Sequence, residues 1–283
     1  MHKLPISKLR AINAELNEKS PSLCLAKWLQ STIHLQNGFT HSCHHPRPHK
    51  ISPKEIENDC SSLHNTNEKM LRRKEMLEGY FPTECDYCWS VENAAPENIS
   101  DRTQKSAEEW SYSRLDEISN LPWDKKINPS YIEVSFGNEC NFKCAYCSPT
   151  ISSSIMHEME KFGAYSTMPY FSLDKLKDAG EMPIPSHEKN NYVEAFWKWW
   201  PSLRKDLKNF RITGGEPLLN PNTFLILDEL TRNPIPNLYL SINSNLGVSD
   251  TQYRRLLEKI KLFKTSNSSM RFSLYTSVDT FGK

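Results

Sequence analysis

The sequence predicts an α/β fold with a parallel sheet, because patterns typical of strands and of helices alternate after residue 130. Strand patterns cover residues 131–136, 209–213, 238–242 and 271–277. Apolar residues near helical spacing predict helices over residues 192–207, over residues 223–231 and from Ser249 onward. The long segment 148–190 has weak periodicity, which is more typical of a functional loop than of an ordinary connection. A parallel sheet of this kind is either open or closed into a barrel.

Length and composition limit what the chain can be. Its 283 residues suffice for one large domain, or for one domain with a small satellite. The 35 Lys and Arg residues nearly balance the 34 Asp and Glu residues, so we expect no nucleic-acid partner. We also expect no membrane partner and a cytoplasmic protein, because the sequence shows neither an apolar run of membrane-spanning length nor a signal-peptide pattern. In that compartment the eight cysteines favour metal or redox chemistry over disulfides.

Three cysteines directly follow the first predicted strand. Cys140, Cys144 and Cys147 have the spacing C-x3-C-x2-C, so one loop at a strand end can surround one metal centre. A structural zinc site would need a fourth ligand to complete its tetrahedron. An iron–sulfur cube held by three thiolates leaves one iron open, which is useful where a small molecule chelates that iron. The spacing favours the cluster but leaves zinc as an alternative.

A glycine-rich motif follows the second predicted strand, where residues 213–217 read Thr-Gly-Gly-Glu-Pro. Gly214 and Gly215 allow the backbone to approach a ligand closely, because they lack a Cβ atom. The Glu216 carboxylate can accept hydrogen bonds from a ligand ammonium. A lone motif of this type is more often an ordinary turn. Here it should share one edge of the sheet with the three cysteines, at the strand ends where such sheets bind ligands.

Together these two motifs resemble the signature of the radical S-adenosylmethionine (SAM) superfamily, and the resemblance covers roughly residues 130–283. It implies a partial (β/α) barrel and a [4Fe–4S] cluster held by Cys140, Cys144 and Cys147. The open iron of that cluster would chelate the amino and carboxylate groups of SAM. The implied SAM-binding residues are Tyr146 by the adenine, Gly214, Gly215, Glu216 and Pro217 by the methionine amino group, and Asn243, Ser277 and Asp279 near the methionine and ribose.

A second group of cysteines lies ahead of the predicted barrel. Cys24, Cys43, Cys85 and Cys88 can close a four-thiolate site, and the histidines among residues 41–49 offer substitute ligands that would suit zinc. The surrounding sequence resembles the auxiliary-cluster modules called SPASM or twitch, which implies an auxiliary [4Fe–4S] cluster with zinc as the alternative. Such modules usually follow the barrel, whereas this one precedes it. Cys60 matches no motif, and we interpret it as a plain thiol, with replacement of Cys43 as a ligand as the alternative.

These interpretations predict three regions. Residues 1–100 form the cysteine-rich auxiliary module, residues 101–129 form a connector, and residues 130–283 form the radical SAM partial barrel. Only four strands are visible where the family barrel has six, so we expect a barrel truncated after its fourth strand and a chain that is a fragment of a longer protein.

The resemblance implies a radical SAM enzyme that cleaves SAM reductively and abstracts a hydrogen atom from an unknown substrate. It further implies an external low-potential electron donor, and the auxiliary module suggests a peptide or protein substrate. The rival hypothesis is a non-enzymatic zinc-binding interaction module on an inert barrel. The motif at residues 213–217 argues against that rival, because a zinc protein does not need it.

Overall fold

The computed structural model describes residues 4–95, 97–167, 172–266 and 269–277. The elements before residue 130 are α1 (Ile6–Lys19), α2 (Ala26–Leu29), β1 (Gln30–His34), β2 (Phe39–His41), β3 (His49–Lys50), α3 (Pro53–Asn58), α4 (Asn67–Leu77), α5 (Asp86–Ala94), α6 (Asp101–Ser106) and α7 (Leu115–Asn120). The later elements are β4 (Tyr131–Ser135), α8 (Ser153–Phe162), α9 (Leu173–Asp178), α10 (Asn191–Leu203), β5 (Asn209–Thr213), α11 (Pro221–Arg232), β6 (Tyr239–Ser244), α12 (Asp250–Ser266) and β7 (Arg271–Thr276).

The chain divides into two compact units. Unit 1 comprises the described residues of 1–32, 40–132 and 198–206, and unit 2 comprises those of 33–39, 133–197 and 207–283. The short strands near the N-terminus follow the order β3-β2-β1, and the later strands follow the order β4-β5-β6-β7. Strands β5 and β6 pair in parallel, as do β6 and β7. The chain therefore has the α/β fold with a mostly parallel sheet that the sequence predicts.

Unit 1 has an apolar core built from segments far apart in the sequence. Leu16 of α1 and Trp28 of α2 are fully buried there, together with Trp110 and with Ile118 of α7. Residues 101–129, for which the sequence predicts a connector, contribute the buried side chains of Trp110, Leu115 and Ile118 to this core. The polar composition of the stretch does not exclude such packing, because polar side chains can also be buried when they have partners.

Arg102 illustrates how a polar residue of this stretch is buried. Its guanidinium lies 2.8 Å from a Glu92 carboxylate oxygen and also donates to the backbone oxygen of Leu23 at 3.1 Å. The same group donates to the side-chain oxygens of Asn13 and Asn17. Arginine presents several donors in a fixed fork, so one buried guanidinium can connect α1, α5 and α6.

In unit 2 the four predicted strands occur within two residues of their expected bounds. The inward positions of β4, β5 and β6 are fully buried, which explains their apolar character: Val134, Phe210, Ile212, Leu240 and Ile242. Loops follow the carboxyl ends of these strands, and they carry residues 136–152, 214–220 and 245–249. Two of these loops contain the motifs that the sequence singles out. Segment 148–190, predicted as a functional loop, contains the helices α8 and α9.

One buried and two partly buried histidines should make the protein sensitive to mild acid. Burial lowers the pKa of His34 to about 4. Burial, aided by the charges of Lys69 and Lys27, lowers the pKa of His49 to about 3. Burial and Arg73 hold the pKa of His64 well below its ordinary value of 6.5. The folded protein therefore keeps these rings neutral at pH values where the unfolded chain binds protons.

Stability should be fully present above pH 6.5 and should fall as the pH drops from 6.5 toward 4. The expected loss is on the order of 1–3 kcal/mol for a fully buried ring. Thermal unfolding followed across this window measures the loss, and His34→Gln should reduce the slope. A melting temperature that does not change across the window would contradict the prediction.

Candidate metal centres

The loop after β4 carries Cys140, Cys144 and Cys147, and the start of α8 fixes its path. The Cys140 backbone N–H donates to Ser153 Oγ at 3.1 Å, and Ser154 Oγ donates to the Cys140 carbonyl at 2.7 Å. Since serines at a helix start satisfy backbone groups of the neighbouring loop, the run of three serines at residues 152–154 has a structural explanation.

The three thiols lie close enough to influence one another. Burial raises the pKa of Cys147, and negative charge on Cys140 or Cys144 raises it further. Cys140 Sγ accepts hydrogen bonds from the Phe142 N–H at 3.5 Å and from Asn245 Nδ2 at 3.8 Å. Donors of this kind stabilise a thiolate, which is the form that binds a metal.

The glycine-rich loop after β5 touches the cysteine loop directly through its backbone. The Glu216 N–H donates to the Glu139 carbonyl at 2.6 Å. A Cβ atom on Gly215 would lie 2.3 Å from that same carbonyl oxygen. Gly214 has φ +120°, and a Cβ there would lie 2.5 Å from Ser135 Oγ. The glycines are therefore needed to bring two protein loops together, a role that the sequence argument for close ligand approach did not include.

The Glu216 carboxylate joins the ends of β5 and β6. It is 1% exposed and accepts from the Leu218 N–H at 3.0 Å, from Ser244 Oγ at 2.7 Å and from the Asn245 N–H at 2.7 Å. A carboxylate offers about four lone-pair sites, so these three donors leave one for a ligand. Asn245, which also donates to Cys140 Sγ, belongs to the polar triplet 243–245 after β6, a triplet that resembles family positions near the methionine and ribose and from which the sequence argument singled out Asn243.

The other residues that the resemblance implies for SAM binding differ in their exposure and in their hydrogen-bond partners. Tyr146 is 72% exposed, and Pro217 is buried at the start of a short 3₁₀ helix. Asn243 Oδ1 accepts from Arg211 Nε at 3.1 Å. Ser277 is exposed, and its N–H donates to the Ser244 carbonyl at 3.1 Å. Asp279 lies outside the described residues.

The four cysteines singled out near the N-terminus line one cavity of unit 1: Cys24, Cys43, Cys85 and Cys88. Its volume of about 20 Å³ has room for about one water molecule or one metal ion. Cys60 is not among the residues that line it.

Burial makes these thiols hard to ionise without a metal. It raises the pKa of Cys85 to about 12 and that of Cys88 to about 11, and it raises the pKa of Cys43 as well. At neutral pH they are protonated, so a metal would have to displace their protons on binding. A metal–thiolate centre in this cavity would carry negative charge that the surroundings must balance.

The wall of the cavity supplies positive charge. Lys27 lies in this wall and is 2% exposed. Burial alone would lower its pKa, but the negative charge that Cys85 carries as a thiolate, together with the Glu84 carboxylate, raises the pKa above its ordinary value. Glu84 also accepts a hydrogen bond from Lys27 Nζ. The buried ammonium therefore stays charged beside the thiols.

Ser42 adds an unpaired donor to the same wall. Its side chain is 2% exposed and lines the cavity, and Oγ has no hydrogen-bond partner among the residues that the structure describes. Leaving a buried hydroxyl unpaired costs about 1–3 kcal/mol. A sulfur-rich occupant of the cavity would give this hydroxyl an acceptor. Both the donor set and the unpaired hydroxyl therefore fit an anionic metal–thiolate centre.

The spacing of the sulfur atoms bears on which metal suits each set. Among the described residues, the ligand atoms of His44, His45 and Asp101 all lie within 4.8 Å of one another. Within the same described ranges, neither set of cysteines has three sulfur atoms that close together. Zn–S bonds of 2.3 Å would place tetrahedral sulfurs roughly 3.8 Å apart. A four-iron cluster is larger than one ion and holds its thiolates farther apart. The sulfur spacing favours a cluster, whereas the small volume of the unit 1 cavity favours a single ion there.

Comparison with known proteins gives one family. A family model described as the radical SAM superfamily matches residues 134–282, which is more than half of the 283 residues. No curated protein and no solved structure matches the chain significantly. None of the helices in the described ranges is both long and apolar enough to cross a membrane.

Gly215→Ala should disrupt the contact between the glycine-rich loop and the cysteine loop. The new methyl group would meet backbone atoms that cannot rotate away, so we expect a stability loss of about 1–3 kcal/mol or more and less iron held by the loop. Thermal unfolding and iron analysis after anaerobic reconstitution measure both effects.

Gly163→Ala is the matched control, because Gly163 has φ +86° but no atom within 4 Å of its Cβ position. That variant should show only backbone strain of roughly 1–2 kcal/mol and unchanged iron. Equal iron content in both variants would mean that the loop contact is not needed for metal binding.

Proposed function

The chain belongs to the radical SAM superfamily, and from this premise we propose that Cys140, Cys144 and Cys147 hold the [4Fe–4S] cluster that the family implies. The observation that carries the proposal is the backbone contact between the loop of these three thiols and the glycine-rich loop. When bound, the cluster supplies one electron for the reductive cleavage of SAM, which begins hydrogen-atom abstraction from a substrate. The enzyme class follows from the family, and the assignment of residues is our proposal.

The polypeptide would contribute position and shielding. Asn245 and the Phe142 N–H donate to Cys140 Sγ, which stabilises negative charge on a ligand sulfur. The half-exposed thiols would leave one side of the cluster accessible to SAM. Glu216, whose carboxylate has one lone-pair site left, would receive the ammonium group of SAM while it holds the strand ends together.

The remaining SAM contacts follow the resemblance. Exposed Tyr146 would cover the adenine, because an aromatic face accessible to solvent can stack on a base. Gly214 and Pro217 would shape the pocket for the methionine amino group. The residues near the methionine and ribose would be Asn243, Ser277 and Asp279.

We further propose that the cavity of unit 1 holds an auxiliary metal centre bound by Cys24, Cys43, Cys85 and Cys88, in a SPASM- or twitch-like module. The buried Lys27 ammonium and the unpaired Ser42 hydroxyl support a negatively charged, sulfur-rich occupant. The sulfur spacing supports an auxiliary [4Fe–4S] cluster, and zinc is the alternative that the cavity volume supports.

For the substrate we propose only a chemical class. Auxiliary modules of this type accompany peptide and protein modification, so we propose a peptide or protein substrate and an external low-potential electron donor. This part rests on the resemblance, because fold and family do not by themselves identify a substrate.

Replacing Cys140, Cys144 and Cys147 together with Ala should remove about four irons per chain and abolish reductive SAM cleavage, because no other thiolates are placed to hold that cluster. Iron analysis and detection of cleaved SAM under anaerobic conditions measure the effects. Cys60→Ala is the control and should leave both unchanged. A triple variant that keeps its full iron content would refute the assignment.

Replacing the cysteines of the unit 1 cavity with Ala should lower the metal content but leave substrate-free SAM cleavage largely intact, since the SAM cluster has its own ligands. Elemental analysis of the variant against the parent distinguishes the occupants: a loss of iron and sulfide identifies a cluster, and a loss of zinc identifies the single ion. Unchanged content of both metals would count against any metal in this cavity.

A further inference from the structure

Two imidazoles converge on one carboxylate oxygen at the edge of the unit 1 cavity. His44 Nε2 lies 3.2 Å from Asp101 Oδ2, and His45 Nε2 lies 3.0 Å from the same oxygen. All three atoms lie within 4.8 Å of one another. From this arrangement we propose that His44, His45 and Asp101 bind a divalent transition-metal ion through nitrogen and oxygen atoms alone, without the cysteines, although His45 and Asp101 also line the cysteine cavity.

The two nitrogen–oxygen distances match those between neighbouring atoms of a first coordination shell. Bonds of 2.0–2.1 Å from zinc to nitrogen, and similar bonds to oxygen, place neighbouring ligand atoms roughly 3.0–3.4 Å apart. Two imidazoles and one carboxylate form the ligand set that non-haem Fe(II) and related ions accept. This set lacks soft sulfur donors, so it would select ions different from those that prefer thiolates.

The local structure holds the ligands in place. The His45 ring stacks on Tyr87 with centroids 4.0 Å apart and planes inclined by 16°. Its side chain is only 13% exposed, whereas that of His44 is 61% exposed. Asp101 is the first residue of α6. One ligand is therefore rigid and the opposite side of the site faces solvent, which provides an entry path for the ion and open positions for a substrate or water.

The neighbouring charges include one that opposes a bound cation and one that favours it. Lys105 acts electrostatically on His44 and opposes a bound cation, while the Asp101 carboxylate favours it. The alternative arrangement is a pair of imidazole N–H groups that donate to Asp101 with no metal present. Such partly exposed ion pairs contribute little to stability, so their presence alone does not explain why two adjacent histidines share one oxygen.

Cobalt(II) tests the site directly. The full chain is first reconstituted anaerobically with iron and sulfide, so that the cysteines are occupied, and Co²⁺ is then titrated with equilibrium dialysis and visible spectroscopy. We expect one added cobalt per chain with ligand-field absorption and without thiolate-to-cobalt charge transfer. Asp101→Asn and His44→Ala should each weaken this binding at least about tenfold.

The controls separate this site from the cysteine cavity. His157→Ala removes an exposed histidine of unit 2 and should leave cobalt affinity unchanged. His44 is largely exposed, so its variant should fold normally, and far-ultraviolet circular dichroism checks both variants. Cobalt binding with nitrogen and oxygen ligands that is equal in the parent and both variants, or no added cobalt, would overturn the proposal. Cobalt that binds with thiolate-to-cobalt charge transfer would be held by the cysteines and would also overturn the proposal.

Discussion

The candidate SAM site depends on one backbone contact between residues of two loops that lie 77 positions apart in the sequence. The Glu216 N–H reaches the Glu139 carbonyl, and the space that a side chain on Gly215 would need is filled by that carbonyl group. Parallel strands deliver both loops to the same edge of a sheet, but only the absence of a Cβ atom lets the two backbones meet. Any cluster held by the cysteine loop would thus be positioned by the glycine-rich loop beside it.

Glu216 extends this constraint to a third loop. Its buried carboxylate accepts from Ser244 Oγ and from the Asn245 N–H, and the Asn245 side chain in turn reaches Cys140 Sγ. A buried carboxylate with these three donors is stable only while the ends of β5 and β6 stay in register. The Glu216 carboxylate therefore links two strand ends and is also the proposed binding partner of the SAM ammonium group. Loss of its charge would change loop geometry as well as affinity.

The sequence could predict the strands β4–β7 and the helices between them, but neither the helices α8 and α9 nor the hydrogen bonds that join the strand ends. Strand alternation and helical spacing are local, so β5 and α11 were found within one or two residues. The cysteine and glycine motifs were equally visible, because their spacing is short. The bond between Glu216 and Ser244 joins residues that no local pattern relates. Likewise, polarity alone gave no sign that Arg102 would be buried, since its partners lie in other helices.

Unit 1 shows why the near balance of total charge is a poor guide to its interior. Arg73 is fully buried, and burial lowers its pKa to about 9, so it is still charged at neutral pH. It donates to the Lys27 carbonyl at 3.2 Å, and the Lys27 side chain lies in the wall of the cysteine cavity. Glu84 offsets Lys27, but the partners shown for Arg73 carry no formal negative charge. A metal–thiolate centre in the cavity would instead place negative charge beside the Lys27 ammonium in its wall. Occupation of the proposed site would therefore stabilise unit 1, because a ligand that binds the folded state alone stabilises it.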